Sequence, residues 1–255
     1  LRDFMFPEGG SAAGLRSVTV SDTDTATASA HSGATLRTYR LHIDRIATAE
    51  TVLSSVLEAD APTDIPSGTH AFTLSIGGET RTLRVTVNSA TDTTSDVLAR
   101  LGRVIEGADS RLQADIVEGS RRVYRQLPGS LYEPTVQLRV QARETGADSA
   151  YTLADAEDGT LISSLRLDRI AVPAADAVYR LDAIAGTSAS NTITADNGLL
   201  QIELRGPTAG RPVAVTVSEG APQLVDKVAD RIESFNSYLT FLDEHSRYFD
   251  ASLYN

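Results

Sequence analysis

The sequence predicts an α+β protein that is predominantly β: small antiparallel sheets, one short helix and one long C-terminal helix. Three observations carry that expectation. Apolar residues alternate over short runs such as Tyr39-Arg40-Leu41-His42-Ile43-Asp44, the period of two of a half-buried strand. Glycine, proline and asparagine punctuate most of those runs. The apolar period lengthens to a helical one in only two places, near residues 94–107 and across residues 222–249.

The elements follow in chain order. In the first strand Tyr39, Leu41 and Ile43 share one face and Arg40, His42 and Asp44 the other, so Leu41 and Ile43 are expected to be buried. Thr69–Ile76 and Thr80–Val87 form a hairpin around Gly77-Gly78-Glu79, with Leu83, Val85 and Val87 on one face and Arg84 and Thr86 on the other. Val97, Leu98, Leu101, Val104 and Ile105 then recur at helical spacing. Thr93 with Asp96 offers a capping box and Gly107 a stop. Leu112–Val117 and Val136–Ala142 return to strand on either side of a loop at Leu127-Pro128-Gly129.

Further strands are expected at Ala177–Ala183, Thr192–Thr194, Leu199–Leu204 and Val213–Val217. Pro222 suits the first position of the last helix, where its missing N–H costs nothing. Along that helix Val225, Val228, Ile232, Phe235, Leu239 and Leu242 step by 3, 4, 3, 4 and 3, a heptad seam. The seam docks on the chain's own sheet or a further helix, or else meets another subunit.

Composition bounds the function. The chain has 255 residues, 41% of them hydrophobic and 22% charged, an ordinary globular balance with room for one large or two modest domains. A net charge of −11 argues against nucleic acid as the main partner, because phosphate binding needs a basic surface. The absence of cysteine excludes disulfides, thiol chemistry and cysteine-rich zinc sites. No apolar run approaches the roughly 20 residues that span a bilayer, and Leu1–Gly10 lacks the layout of a signal peptide. A start at Leu1 points to a piece of a longer protein.

Candidate chemistry is sparse. His31, His42, His70 and His245 have no metal-ligand spacing. Asp22-Thr23-Asp24 begins like a calcium loop, but Thr27 stands where glycine is needed and Gly33 where a bidentate glutamate is needed, so a solvated loop is expected. Asp155, Glu157 and Asp158 read as an acidic loop, and Arg121, Arg122 and Arg125 as a small basic spot. Asp243, Glu244 and His245 are neighbours on a helix and face apart. No nucleophile elbow, P-loop or dinucleotide fingerprint occurs, so no catalytic residue, cofactor or metal is assigned.

Several segments resemble one family. The run Thr25-Ala26-Thr27-Ala28-Ser29-Ala30 leading into Tyr39, Leu41, Ile43, Ile46, Ala47 and Ala49 resembles the N-terminal signature of the bacterial flagellar filament-capping protein, flagellar hook-associated protein 2. Glu144-Thr145-Gly146-Ala147-Asp148 resembles the closing motif of β-rich inserts in flagellins and capping proteins. Ser190-Asn191-Thr192-Ile193-Thr194 resembles the capping family's S-N-T-V-T, with Ala183 departing from its usual glycine and Asp196-Asn197 differing ahead of Gly198. Val228, Ile232, Phe235, Asn236, Tyr238 and Leu239 resemble its terminal helix.

The resemblance implies a central fragment without the coiled-coil ends. It implies a discontinuous stem domain, residues 1–60 and 165–255, with residues 61–164 as an inserted β-rich module holding the short helix 94–107. The first strand would then be a stem strand lying near the long helix. The implied function is structural rather than enzymatic: a homo-oligomeric ring at the filament tip that assists flagellin folding and insertion. Implied partners are a second copy of the chain, flagellin, hook-associated proteins and an export chaperone, in an extracellular setting reached through the flagellar channel. Two alternatives are a hook–filament junction or flagellin-like subunit, and an adhesive, glycan-binding β-module. The second calls for exposed aromatics, and the chain has no tryptophan and only 5% aromatic residues.

Overall fold

The computed structural model describes residues 15–123, 131–156, 159–220 and 231–241. The α+β, strand-dominated class expected from the sequence is the one that forms. The chain divides into two compact units. The described residues of Leu1–His42, Arg180–Ile184 and Thr192–Asn255 make the first, and those of Ile43–Tyr179 and Ala185–Asn191 the second.

The first unit is built on two small antiparallel sheets. In one, β1 (Arg16–Val20) and β3 (Thr38–Arg45) flank β16 (Val213–Glu219), and the order runs on as β1-β16-β3-β12-β13 through β12 (Ala177–Leu181) and β13 (Ile184–Ser188), most of whose residues are counted with the second unit. In the other, β15 (Leu200–Leu204) lies between β2 (Ala26–Ala30) and β14 (Thr192–Ala195). Alternation sets the buried faces: Tyr39, Leu41 and Ile43 on β3, Val213, Val215 and Val217 on β16, and Leu200, Ile202 and Leu204 on β15. The expected burial of Leu41 and Ile43 is met, at 0% and 2% exposure. The solvated loop expected over Asp22–Gly33 is corrected in part. Asp22 does close a turn by accepting the Asp24 and Thr25 amides, but Ala26–Ala30 is a strand in register with Leu200–Leu204. Its small residues carry no alternation of their own, so β15 supplies the signal.

The second unit holds the larger core. β6 (Gly68–Ile76) and β7 (Glu79–Val87) pair throughout around Gly77 and Gly78, both at positive φ as a two-residue primed turn requires, and β10 (Tyr151–Asp155) completes the sheet β10-β6-β7. Long strands β8 (Leu112–Val123) and β9 (Leu131–Ala142) pair over twelve residue pairs, well beyond the runs expected from alternation. On β9 the short strands β4 (Thr51–Leu53) and β5 (Leu57–Glu58) also pair, and β11 (Ile170–Val172) adds to β4.

Helix α1 (Thr94–Ala108) lays Val97, Leu98, Leu101, Gly102 and Ile105 on these strands, with the expected capping box formed by Thr93 and Asp96. It ends at Ala108, with Asp109 as its C-cap, rather than at Gly107, whose place in the last helical turn corrects the expected stop. Gly102 permits the close approach: a Cβ there would meet Leu138 and Ala114 at 3.2–3.3 Å. A second helix, α2 (Leu161–Leu165), is capped by Asp155, which accepts the Ile162 and Ser163 amides at 2.7 and 3.0 Å. That gives the one described member of the expected acidic loop a structural role. Phe72, Leu74, Leu98, Leu101, Leu138 and Tyr151 anchor the core between these elements.

The expected insert limits at residues 61 and 164 lie inside this second unit, because β4, β5 and β11 join the sheet of β9. Strands β1, β4, β5, β11 and β13 go beyond the sequence expectations. Most are two or three residues long or lack apolar alternation, so pairing rather than pattern creates them. Residues 231–241 form helix α3, inside the long helix expected at 222–249.

Candidate functional site

The signature segment after β3 is where the chain invests its most specific contacts. Ala47, 2% exposed, is held by one amide side chain at both of its backbone groups: its N–H donates to Asn191 Oδ1 at 2.7 Å, and Asn191 Nδ2 donates to its carbonyl at 3.0 Å. Thr48 exchanges backbone hydrogen bonds with Ala175 at 2.9 and 3.1 Å, and its carbonyl also accepts the Gly146 amide at 3.1 Å. Its hydroxyl donates to the Pro173 carbonyl at 2.7 Å. Three further segments, around residues 146, 175 and 190, therefore converge on residues 47 and 48.

Those segments are also tied to one another. Thr145 Oγ1 donates to the Ala189 carbonyl at 2.6 Å. Asp176 Oδ1 accepts the Ala147 amide at 2.7 Å while its carbonyl accepts Arg45 Nε at 2.9 Å. Gly146 adopts φ +104°, and a Cβ placed there would lie 2.6 Å from Ala189 Cβ and 2.8 Å from Ala189 Cα. Only glycine satisfies both the dihedral and the clearance.

One step further along, Glu50 is a buried acid, 3% exposed. Its Oε1 accepts the Tyr151 amide at 3.0 Å and its carbonyl accepts the Ala142 amide at 2.9 Å. Tyr151 donates its phenol to the Val140 carbonyl at 2.8 Å, and burial, with the Glu50 carboxylate second, pushes the phenol well above its ordinary pKa. Every hydrogen bond of this four-segment junction ends on backbone or is made by a side chain clamping backbone. Its work is to hold chain segments in fixed register.

The signature residues are thus distributed. Tyr39, Leu41, Ile43 and Ala47 are buried, while Ile46 and Ala49 are half-buried, with Ala49 against the second unit's core. Asn191, Gly146, Thr48 and Asp176 were not singled out by sequence. Asn191 and Gly146 sat inside recognised motifs, but nothing in the spacing tells that Asn191 meets a backbone 144 residues away.

On the seam, Ile232, Phe235 and Leu239 are 56%, 53% and 47% exposed, and Tyr238 and Phe241 are exposed with them. Val225, Val228 and Leu242 lie outside the described residues. The remaining candidates are spread out. His31 is exposed, His42 and His70 are half-buried, and His70 Nε2 donates to the Pro66 carbonyl at 2.8 Å. Arg121 reaches Glu133 at 3.5 Å. Arg125, Glu157, Asp158, Asp243, Glu244 and His245 lie outside the described residues. Among the described residues no three His, Asp or Glu side chains gather as a metal site would need, and no helix is long and apolar enough to cross a membrane.

Comparison with known proteins adds a common theme. No protein-family model matches the chain. Over 239 residues it is 23% identical to the B-type flagellar hook-associated protein 2 of Pseudomonas aeruginosa, covering 91% of this chain and 49% of that protein. The chain therefore spans about half the length of the curated relative it matches. The flagellar cap protein FliD of Escherichia coli, as a D1-D2-D3 structure, superposes with a TM-score of 0.60 at 20% identity over 91% of this chain and 68% of that one. A D2-D3 structure of the same protein gives 0.58 at 22% identity, over 81% of this chain and 99% of the other. FliD (HAP2) of Pseudomonas aeruginosa gives 0.54 at 21% identity, over 87% and 96%. The match in sequence and the likeness in fold agree: both are to flagellar cap proteins of the hook-associated protein 2 family.

Proposed function

We propose that this chain is part of the cap of a bacterial flagellar filament, a structural protein carried outside the cell at the filament tip. The observation that carries the reading is the agreement of two comparisons: one curated relative matched over 91% of the chain, and cap-protein structures matched in fold over a similar span. In this reading the cap is a homo-oligomeric ring. Exported flagellin folds and inserts beneath it, with flagellin's own folding as the energy source. Hook-associated proteins and an export chaperone are the remaining partners. The role is mechanical, and the four-segment junction supports it, since a scaffold under load needs its crossing segments fixed by paired backbone groups.

The seam residues Val225, Val228, Ile232, Phe235, Leu239 and Leu242 are assigned to helix packing or subunit contact, supported by the exposure of the three described ones. The test uses the full-length protein and its deletion strain. Deletion is expected to release unpolymerised flagellin into the medium and abolish motility, and the purified protein to form rings that seat on filament tips. A strict monomer at every accessible concentration, with no ring on the tips and normal filaments in the deletion strain, overturns the reading.

A further inference from the structure

A cleft of about 240 Å³ opens in the second unit, away from the four-segment junction, between the start of α1, α2 and the loop that follows β5. Its floor is apolar and tightly held: Ile65, Val97, Leu98, Leu161 and Leu165 are each at most 8% exposed. The volume falls below the roughly 300–1,000 Å³ of pockets that take drug-sized ligands, so the cleft accommodates about one side chain.

The mouth carries one carboxylate, Asp64, and the hydroxyls of Thr63, Thr94, Thr160 and Ser164. Two of its hydroxyls already donate, Ser164 Oγ to the Leu161 carbonyl at 3.1 Å and Thr94 Oγ1 to the Ala61 carbonyl at 3.3 Å, and Thr63 Oγ1 accepts the Ile65 amide at 3.2 Å. His70 donates through Nε2 to the Pro66 carbonyl at 2.8 Å. Asp64 is exposed at the mouth and makes no hydrogen bond or ion pair with a described residue, and no lysine or arginine lines the cleft. The lining thus sets one carboxylate, with no lysine or arginine near it in the lining, at the edge of an apolar floor. That combination complements a group that is apolar at its tip and cationic next to it.

We infer that this cleft docks a peptide segment of a partner protein that presents an aliphatic side chain directly beside a lysine or arginine, the aliphatic group on the Leu98 and Leu161 floor and the cation at Asp64. The inference rests on the cleft alone and stands whether or not the chain caps a filament.

The test follows backbone amide shifts of the full chain by NMR while titrating three capped tetrapeptides, Gly-Leu-Lys-Gly, Gly-Leu-Glu-Gly and Gly-Gly-Lys-Gly, to about 10 mM. The Leu-Lys peptide is expected to shift Ile65, Leu98 and Ser164 saturably and to bind about tenfold more tightly than either other peptide. Asp64→Asn is expected to erase the preference for Leu-Lys over Leu-Glu, and raising salt from about 0.05 to 0.5 M to weaken it. Ser164→Phe, which fills the mouth, is expected to abolish binding; should that variant not fold, Asp64→Asn decides alone. No shift at the cleft, equal shifts with all three peptides, or an unchanged preference in Asp64→Asn overturns the proposal.

Discussion

Gly146 shows how much of this structure rests on single positions. Its φ of +104° disfavours any side chain, and the Ala189 backbone closes the space a Cβ would need. Gly33 has a similar dihedral, +89°, with open space around it. The pair separates strain from crowding. Gly33→Ala is expected to cost about 1 kcal/mol from the dihedral alone, and Gly146→Ala about 2–4 kcal/mol because backbone must also move. Urea unfolding of both variants checks the difference; equal losses would show that the junction yields freely. Asn191→Ala removes both partners of the buried Ala47 amide and carbonyl. An unpaired buried group costs about 1–3 kcal/mol, so a loss near 2 kcal/mol is expected in the same measurement.

At the scale of the element, α1 is framed by two arginine–aspartate forks. Arg100 grips Asp92 with both terminal nitrogens, at 2.8 and 3.0 Å, just ahead of the helix. Arg111 grips Asp109 through Nε and Nη2, at 2.9 and 2.7 Å, just after it. The Arg100 side chain and the Asn88 amide hold the Asp92 carboxyl down at about 2, and the Arg111 side chain does the same for Asp109, also to about 2. An unfolded aspartate titrates near 3.9, about two units higher. These carboxylates therefore favour folding in full above that value, and the contribution is lost as pH falls from about 4 toward 2. Asp92→Asn and Asp109→Asn are each expected to flatten the fall in stability over that window while changing its slope little above pH 5. Chemical denaturation at stepped pH reads the slope, and one that stayed as steep in both variants would locate the acid sensitivity elsewhere. Both forks are partly solvated, so salt is expected to shrink the effect.

For the molecule as a whole, the contrast lies between well-filled cores and an uncovered helix. The cores close around residues such as Leu41, Val215, Leu98 and Tyr151, whereas Ile232, Phe235 and Leu239 are about half exposed. Replacing these three by Gln is expected to leave the main unfolding transition unchanged, because about half of each side chain is already exposed. The same change is expected to weaken self-association of the full-length protein, read by analytical ultracentrifugation. A large drop in thermal stability with association intact would return the seam to the chain's own packing. A net charge of −11 makes any such association depend on apolar contact rather than on general attraction between copies.

Much of this protein was legible along the chain. Alternation located β3, β6, β7, β15 and β16, with the faces of β3 and β7, and the 3.6 period with Thr93 and Asp96 located α1, because burial on one face imprints its period on the residues themselves. The Gly77-Gly78 turn was equally local, since the backbone there demands positive φ. Strand β2, the short β4, β5 and β11, and the limits of the second unit were not legible: pairing partners far along the chain create them, and a run such as Ala26–Ala30 carries no pattern of its own. The four-segment junction belongs to the same class. Sequence marked Ala47, Gly146 and Asn191 as parts of three separate motifs, and only the tertiary structure decided that they meet, because a clamp of an amide side chain on a distant backbone depends on where the fold delivers both and leaves no periodic trace in either.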